Sequence, residues 1–225
     1  MTFRRNSDSE NHDEAGHYWI SISDLMTSLL FIFILILAYT IFTFTQKQEG
    51  FEENFNARVE LLRALQKELK EKNIDVDIDP ENGNMRIRAD TFFAVGSAEL
   101  SSDGFAKLAQ IAKQVSEKLS VAKFKKAIDT IFIEGHTDNK PLTQNGTGRR
   151  WTNMELSSQR AINSFLAMDK EANISVLKNG NGRFLFSYSG YADTRPVDRA
   201  DSDEARGKNR RIEFFFALSS PKVAK

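Results

Sequence analysis

From Leu25 to Phe44 the chain runs 20 residues without a formal charge, most of them Leu, Ile and Phe. As a helix rising about 1.5 Å per residue, the run spans ~30 Å, the thickness of a hydrocarbon core. The mean hydropathy of −0.43 averages this segment away. A secretory signal would begin with a basic region and end at a small-residue cleavage site. Here the preceding flank, Asp8-Ser9-Glu10 through Asp13-Glu14, is mostly acidic, and Tyr39-Thr40-Ile41-Phe42 offers no such site. The segment therefore reads as a retained membrane anchor. Arg4 and Arg5 precede it and Lys47 follows, a slight bias that favours the N-terminus inside. The expected division is a tail over 1–18, a span over 19–45, a helical linker over 46–73 and a folded domain over 74–225.

Between Ile20 and Phe44, Asp24 is the only residue expected to carry a charge. At 100° per residue, Ser21, Asp24 and Ser28 fall within roughly 60° of one another, with Thr27 adjoining. Leu25, Met26, Leu29 and Ile22 cover the other side. Two readings follow. Asp24 sits at the headgroup boundary or caps the helix, or it belongs to a polar pathway facing protein or water, because a carboxylate facing lipid costs a few kcal/mol.

The linker has apolar residues at Phe51, Phe55, Val59, Leu62, Leu65 and Leu69, steps of three and four that make one helical stripe. Such a stripe packs on a second copy or on the domain that follows. The period then changes to two. Val76 and Ile78 alternate with Asp75, Asp77 and Asp79; after Pro80-Glu81-Asn82-Gly83, Met85, Ile87 and Ala89 alternate with Arg86 and Arg88. This is a hairpin turning at Asn82-Gly83, its outer face setting Asp against Arg.

Beyond it, Ser101-Ser102 can cap a helix with apolar positions Phe105, Leu108, Ile111, Val115 and Leu119. Ile128–Glu134 reads as a strand ending at Gly135. Ser157 is placed to cap a second helix with Ile162, Phe165 and Leu166 inward. Phe184–Tyr188 is a further strand, and Ile212, Phe214, Phe216 and Leu218 alternate along the last. The predicted class is α+β, with helices layered on a sheet.

Balanced charge, 31 basic against 31 acidic residues, gives no reason to expect nucleic acid, and the absence of cysteine removes thiol chemistry and cysteine zinc sites. No ligand cluster surrounds His136, so no metal and no cofactor is expected. The polar residues gather where strands end. Phe93-Ala94-Val95-Gly96-Ser97-Ala98-Glu99-Leu100, then Gly135-His136-Thr137-Asp138-Asn139-Lys140-Pro141, then Asn153 through Leu156, Ser157, Arg160 and Ala161, then Gly190-Tyr191 and Lys208–Glu213 occur in that order.

In that order these motifs resemble the OmpA-like peptidoglycan-binding domains, over roughly residues 75–218. The resemblance implies that Asp138 and Arg160 hold the diaminopimelate of a cell-wall stem peptide, with Thr137, Asn153, Leu156, Ser157 and Arg210 around them. Diaminopimelate presents an ammonium and a carboxylate together; Asp138 suits the first, and the planar fork of Arg160 suits the second. One of Arg210 and Arg211 is expected to support the sheet end. Two departures stand out: a long segment, 139–152, with Arg149-Arg150-Trp151 beside the site, and an added turn at Asn179-Gly180-Asn181-Gly182.

A span with an aspartate followed by an OmpA-like domain is similar to the B subunits of ion-driven stator motors, the flagellar MotB type. Asp24-Leu25-Met26-Thr27 matches their motif, and with Trp19-Ile20-Ser21 it resembles the B subunits of Zorya anti-phage systems. The short acidic tail departs from the flagellar pattern. The resemblance implies ion transfer through Asp24, with Ser21, Thr27 and Ser28 beside it, in a dimer inside five copies of a MotA-type A subunit. It also implies an inner-membrane protein with a cytoplasmic N-terminus and a periplasmic domain. A passive wall anchor without ion flow is the competing class. An enzyme is not expected, since the site offers no nucleophile-base pair.

Overall fold

The computed structural model describes residues 8–94, 96–140 and 152–221, with side chains from Tyr18 onward. Arg4, Arg5 and the segment carrying Arg149, Arg150 and Trp151 lie outside the described residues. The chain divides into two units, at Glu49/Gly50, and helix α1 (Asp8–Glu71) contributes to both.

In the first unit α1 is long and apolar enough to cross a membrane, and none of its most apolar window is buried. Trp19, Leu25, Phe31 and Tyr39 are all exposed. Hydroxyls along this stretch turn back on the helix: Thr27 Oγ1 donates to the Ser23 carbonyl at 2.7 Å, Thr40 to Leu37 at 2.8 Å and Thr45 to Ile41 at 3.0 Å. A polar group in an apolar solvent must find its partner within its own element, and these do.

The second unit is an α/β layer built on five strands, β1 (Asp77–Asp79), β2 (Asn84–Arg88), β3 (Ile128–Gly135), β4 (Phe186–Gly190) and β5 (Arg211–Leu218), in the order β1-β2-β5-β3-β4. Among the described strands only β3 and β4 run parallel, as a strand-helix-strand crossover requires. Between them lies α4 (Asn153–Ala172). Helices α2 (Ser102–Leu119) and α3 (Ala122–Ala127) precede β3, and α5 (Asp203–Asn209) leads into β5. The expected hairpin forms, with Asp77 opposite Arg86 and Asp79 opposite Asn84. Its turn needs Gly83 at φ +82°, and a Cβ there would strike Arg58, whose guanidinium holds the Glu81 and Phe216 carbonyls.

One face of the sheet carries the core: Met85, Ile87, Ile131, Ile133, Ile212, Phe214 and Phe216 against Leu108, Ile111 and Val115 of α2 and Ala167 and Met168 of α4. The same cluster takes in Ala57, Leu61, Leu62, Leu65 and Leu69 of α1. The apolar stripe therefore packs on the domain that follows, and the segment expected as a linker is, from Gly50 on, part of the folded unit. Leu62 is fully buried and has no surface to offer a second copy.

Three expectations need correction. The α4 cap is Thr152, not Ser157: Thr152 Oγ1 accepts the Glu155 N–H while the Glu155 carboxylate accepts the Thr152 N–H, a complete capping box. Ser157 lies one turn inside. On α4 the buried positions are Leu156, Ser157, Arg160, Ala161, Ser164, Ala167 and Met168, whereas Leu166 is exposed and Ile162 only half-buried. Strand β4 begins at Phe186; Phe184 is exposed and makes only an isolated bridge to Lys178.

Candidate functional site

The site assembles where β3, β4 and β5 end and α4 begins. Two glycines permit it. Gly135 and Gly190 face each other at the ends of β3 and β4. A Cβ on Gly135 would lie 2.0 Å from the Ser157 carbonyl oxygen, and one on Gly190 2.3 Å from Ser158 Oγ. Only bare backbone lets α4 approach the strand ends this closely. Ser157 then fastens the approach: its hydroxyl donates to Met154 O and accepts the Ala192 N–H, each at 3.0 Å.

Asp138 follows β3 and is buried. Its Oδ2 accepts Arg210 Nη1 at 2.5 Å, and Oδ1 accepts the Lys140 N–H at 3.2 Å. Asn153, at the first turn of α4, donates Nδ2 to the carbonyls of Asp138 and Lys140 and so fixes this loop to the helix. Leu156 is buried beneath, and Thr137 is held by its N–H on Ala192 O at 2.9 Å. Thr137 Oγ1 is buried and makes no hydrogen bond among the described residues.

Arg160 is also buried, yet it does not pair with Asp138. Nε donates to Ser97 O at 2.8 Å and Nη2 to Ala94 O at 3.2 Å, with the guanidinium over the Phe93 ring. Burial, then the Arg210 charge, lower its pKa to about 10, while Asp138 and Asp90 act in the opposite sense. It remains a cation at neutral pH, held by neutral carbonyls and short of a full anionic partner.

Asp138 thus pairs with Arg210, and Arg160 is seated on the neighbouring loop. Arg211 is the residue that supports the sheet end, with Nε on Glu213 Oε2 at 2.6 Å and Nη2 on Arg195 O at 3.1 Å. Sequence reasoning missed Phe93 and the Ala94 and Ser97 carbonyls as the seat of Arg160. It also missed Asn163, whose Nδ2 holds Ala98 O at 2.7 Å and steadies the same loop. The signal was the Phe93–Leu100 motif, which shows its order in the chain but not which of its backbone atoms turn inward. Among the described residues no group of His, Asp and Glu is arranged to hold a metal ion.

In the first unit Ser21, Asp24, Thr27 and Ser28 are all exposed on α1.

The sequence profile described as the OmpA family matches residues 92–210, more than half of the chain and the whole of this site. The chain belongs to the OmpA family. Among curated proteins it is 25% identical over 164 residues to Motility protein B of Bacillus subtilis, covering 73% of this chain and 56% of that protein. It is 26% identical over 210 residues to Zorya protein ZorB of Escherichia coli, covering 90% of this chain and 88% of that protein. It therefore spans little more than half of the first relative and most of the second. A solved structure of a putative MotB like protein from Desulfovibrio vulgaris superimposes with a TM-score of 0.56 at 20% identity, covering 77% of this chain and 99% of that one. That likeness supports the OmpA-type α/β layer and nothing finer.

Proposed function

We propose that this chain is a peptidoglycan-anchored B subunit of an ion-driven inner-membrane motor. The observation that carries the anchoring half is the site itself: a buried carboxylate and a buried, anion-short guanidinium at one end of an OmpA-family sheet. An ammonium of diaminopimelate takes the place that Arg210 holds on Asp138, and the neighbouring carboxylate meets Arg160, freed Arg210 lying close by. Thr137, Asn153, Leu156 and Ser157 keep these groups in position.

The motor half rests on Asp24. Ser21, Thr27 and Ser28 share its side of the helix, and a passive anchor has no need of a carboxylate within the apolar run. In this reading Asp24 accepts and releases the ion, two copies of the chain sit within five MotA-type A subunits, the N-terminus is cytoplasmic and the domain from Gly50 is periplasmic. Zorya-type phage defence is the favoured output, because the likeness to ZorB extends over nearly the whole chain; flagellar motility is the alternative.

The anchoring half is tested with the full chain in detergent micelles, sedimented with diaminopimelate-type sacculi. Asp138→Ala and Arg160→Ala are each expected to lose about 2–5 kcal/mol of binding, as truncating one partner of a desolvated charged contact does. Undiminished sedimentation of both variants overturns the site.

A further inference from the structure

Behind the candidate site, the other face of the sheet carries a second cluster of charge. Glu134 and Glu213 stand directly opposite in the β3–β5 register, an arrangement that costs stability unless cations intervene. Glu213 is well served: Arg211 Nε lies at 2.6 Å and Arg86 Nε at 3.4 Å. Glu134 is not. Its Oε2 lies 3.8 Å from Arg195 Nη1 and 3.5 Å from His136 Nε2.

His136 is 1% exposed, and neither ring nitrogen makes a hydrogen bond among the described residues. Its ring stacks on Tyr191 with centroids 5.6 Å apart, and Arg195 covers the same tyrosine at 3.6 Å. Nε2 stands between the two carboxylates, 3.8 Å from Glu213 Oε2. These groups, with Phe132 and Phe215, line a cleft of about 680 Å³. His136 immediately precedes Thr137 and Asp138, and its N–H holds the Arg211 carbonyl at 3.0 Å. The ring and the Asp138–Arg210 pair are therefore carried by the same two strand ends.

We propose that His136 is a pH gate on the wall-binding site: its neutral ring keeps the ends of β3 and β5 closed, and acidification, by charging it, lets the strand end that presents Asp138 to the ligand shift out of place. This rests on the wall-binding reading above. The groups facing the ring are Glu134 from β3, Glu213 and Arg211 from β5, Arg86 from β2 through Glu213, and Tyr191 and Arg195 from the segment after β4. The carboxylates favour an imidazolium; burial and Arg211 oppose it. Burial is the largest influence and holds the ring below the ordinary 6.5. The closed form's advantage is thus complete above that value and shrinks as pH falls through it, because the opened form binds the proton more readily. A single proton limits the effect to about tenfold at pH 5.5.

The full chain in micelles is sedimented with sacculi at pH 7.5, 6.5 and 5.5, beside His136→Gln, His136→Phe and Asp138→Ala. Wild type is expected to lose up to about tenfold in affinity from the highest pH to the lowest. A folded His136 variant keeps wild-type affinity at pH 7.5 and gives a flat profile. Wild-type binding that is equal at all three pH values, while Asp138→Ala fails to bind, overturns the gate and leaves the wall reading standing. Wild type that binds at no pH removes the wall reading itself and the gate with it. A folded variant that keeps the wild-type slope also overturns the gate. Amide exchange across 134–138 in the wild type gives a check that needs no variant: protection, corrected for intrinsic rates, falls at pH 5.5, and unchanged protection refutes the proposal.

Discussion

Helix α1 holds two stretches that share a backbone and differ in the solvent they suit. From Tyr18 to Glu49 its apolar side chains point outward on every side, and even Asp24 lies at the surface. From Gly50 to Glu71 it buries one stripe, Ala57, Leu61, Leu62, Leu65 and Leu69, in a protein core. Its outer charges there meet lysines of the same unit, Glu60 with Lys123 at 2.5 Å and Glu53 with Lys126 at 3.0 Å. Regular helix geometry is common to both; the angular spread of apolar residues separates lipid from core. In the first stretch the hydroxyls of Thr27, Thr40 and Thr45 bond back to the helix, whereas the charge of Asp24 meets no cation among the described residues, which is what marks it out. In the second, and in the domain beyond, nearly every buried charge has a partner.

The same substitution at one position in each stretch is expected to have different consequences. Leu65→Asp buries an unpaired carboxylate in the core and is expected to remove about 4–5 kcal/mol from the domain, read as thermal unfolding. Leu35→Asp is expected to leave that transition in place and to weaken membrane insertion by about 2.5–3.5 kcal/mol, read from the membrane fraction. Equal loss of domain stability at both positions would erase the distinction.

A smaller effect, about 3 kcal/mol, is expected for Gly135→Ala, because the added methyl meets helix backbone rather than a movable side chain. Denaturant unfolding measures it; a loss below about 1 kcal/mol would show that α4 can retreat from the strand ends. The smallest effect is at the α4 cap. Thr152→Ala is expected to cost about 1 kcal/mol, and Ser157→Ala would cost as much through capping only if the helix began there, which it does not.

The elements that announce themselves by period were legible: the apolar run, the hairpin at Asn82-Gly83, α2 and β5, each with several residues repeating one step. What stayed hidden depended on contacts between distant segments. The cap of α4 is a Thr152-x-x-Glu155 box, whereas the hydroxyl of Ser157, the residue expected to cap, is taken by Met154 O and the Ala192 N–H. Helix α5 is short and polar, with only Ala205, Gly207 and Asn209 buried, and has no periodic signal. At the site, Asp138 and Arg160 could be singled out by motif, yet which arginine reaches Asp138 is decided by where β5 enters the sheet, 72 residues from that aspartate. The seat of Arg160 is made of carbonyls, which every residue possesses and no residue type reveals.

Whether Asp24 carries an ion for a wall-anchored motor is tested by Asp24→Asn in the native host, scored on the phenotype lost when the gene is deleted. Asparagine keeps the size and much of the hydrogen bonding of aspartate and removes the titratable charge. Each unit charge crossing a potential of ~100 mV releases about 2.3 kcal/mol, and that supply ends with the carboxylate. The variant is expected to reach the membrane at wild-type level, to sediment with sacculi as wild type does, and to show the full deletion phenotype. A variant that retains phage protection or motility at the wild-type level contradicts the motor and leaves a passive wall anchor in its place.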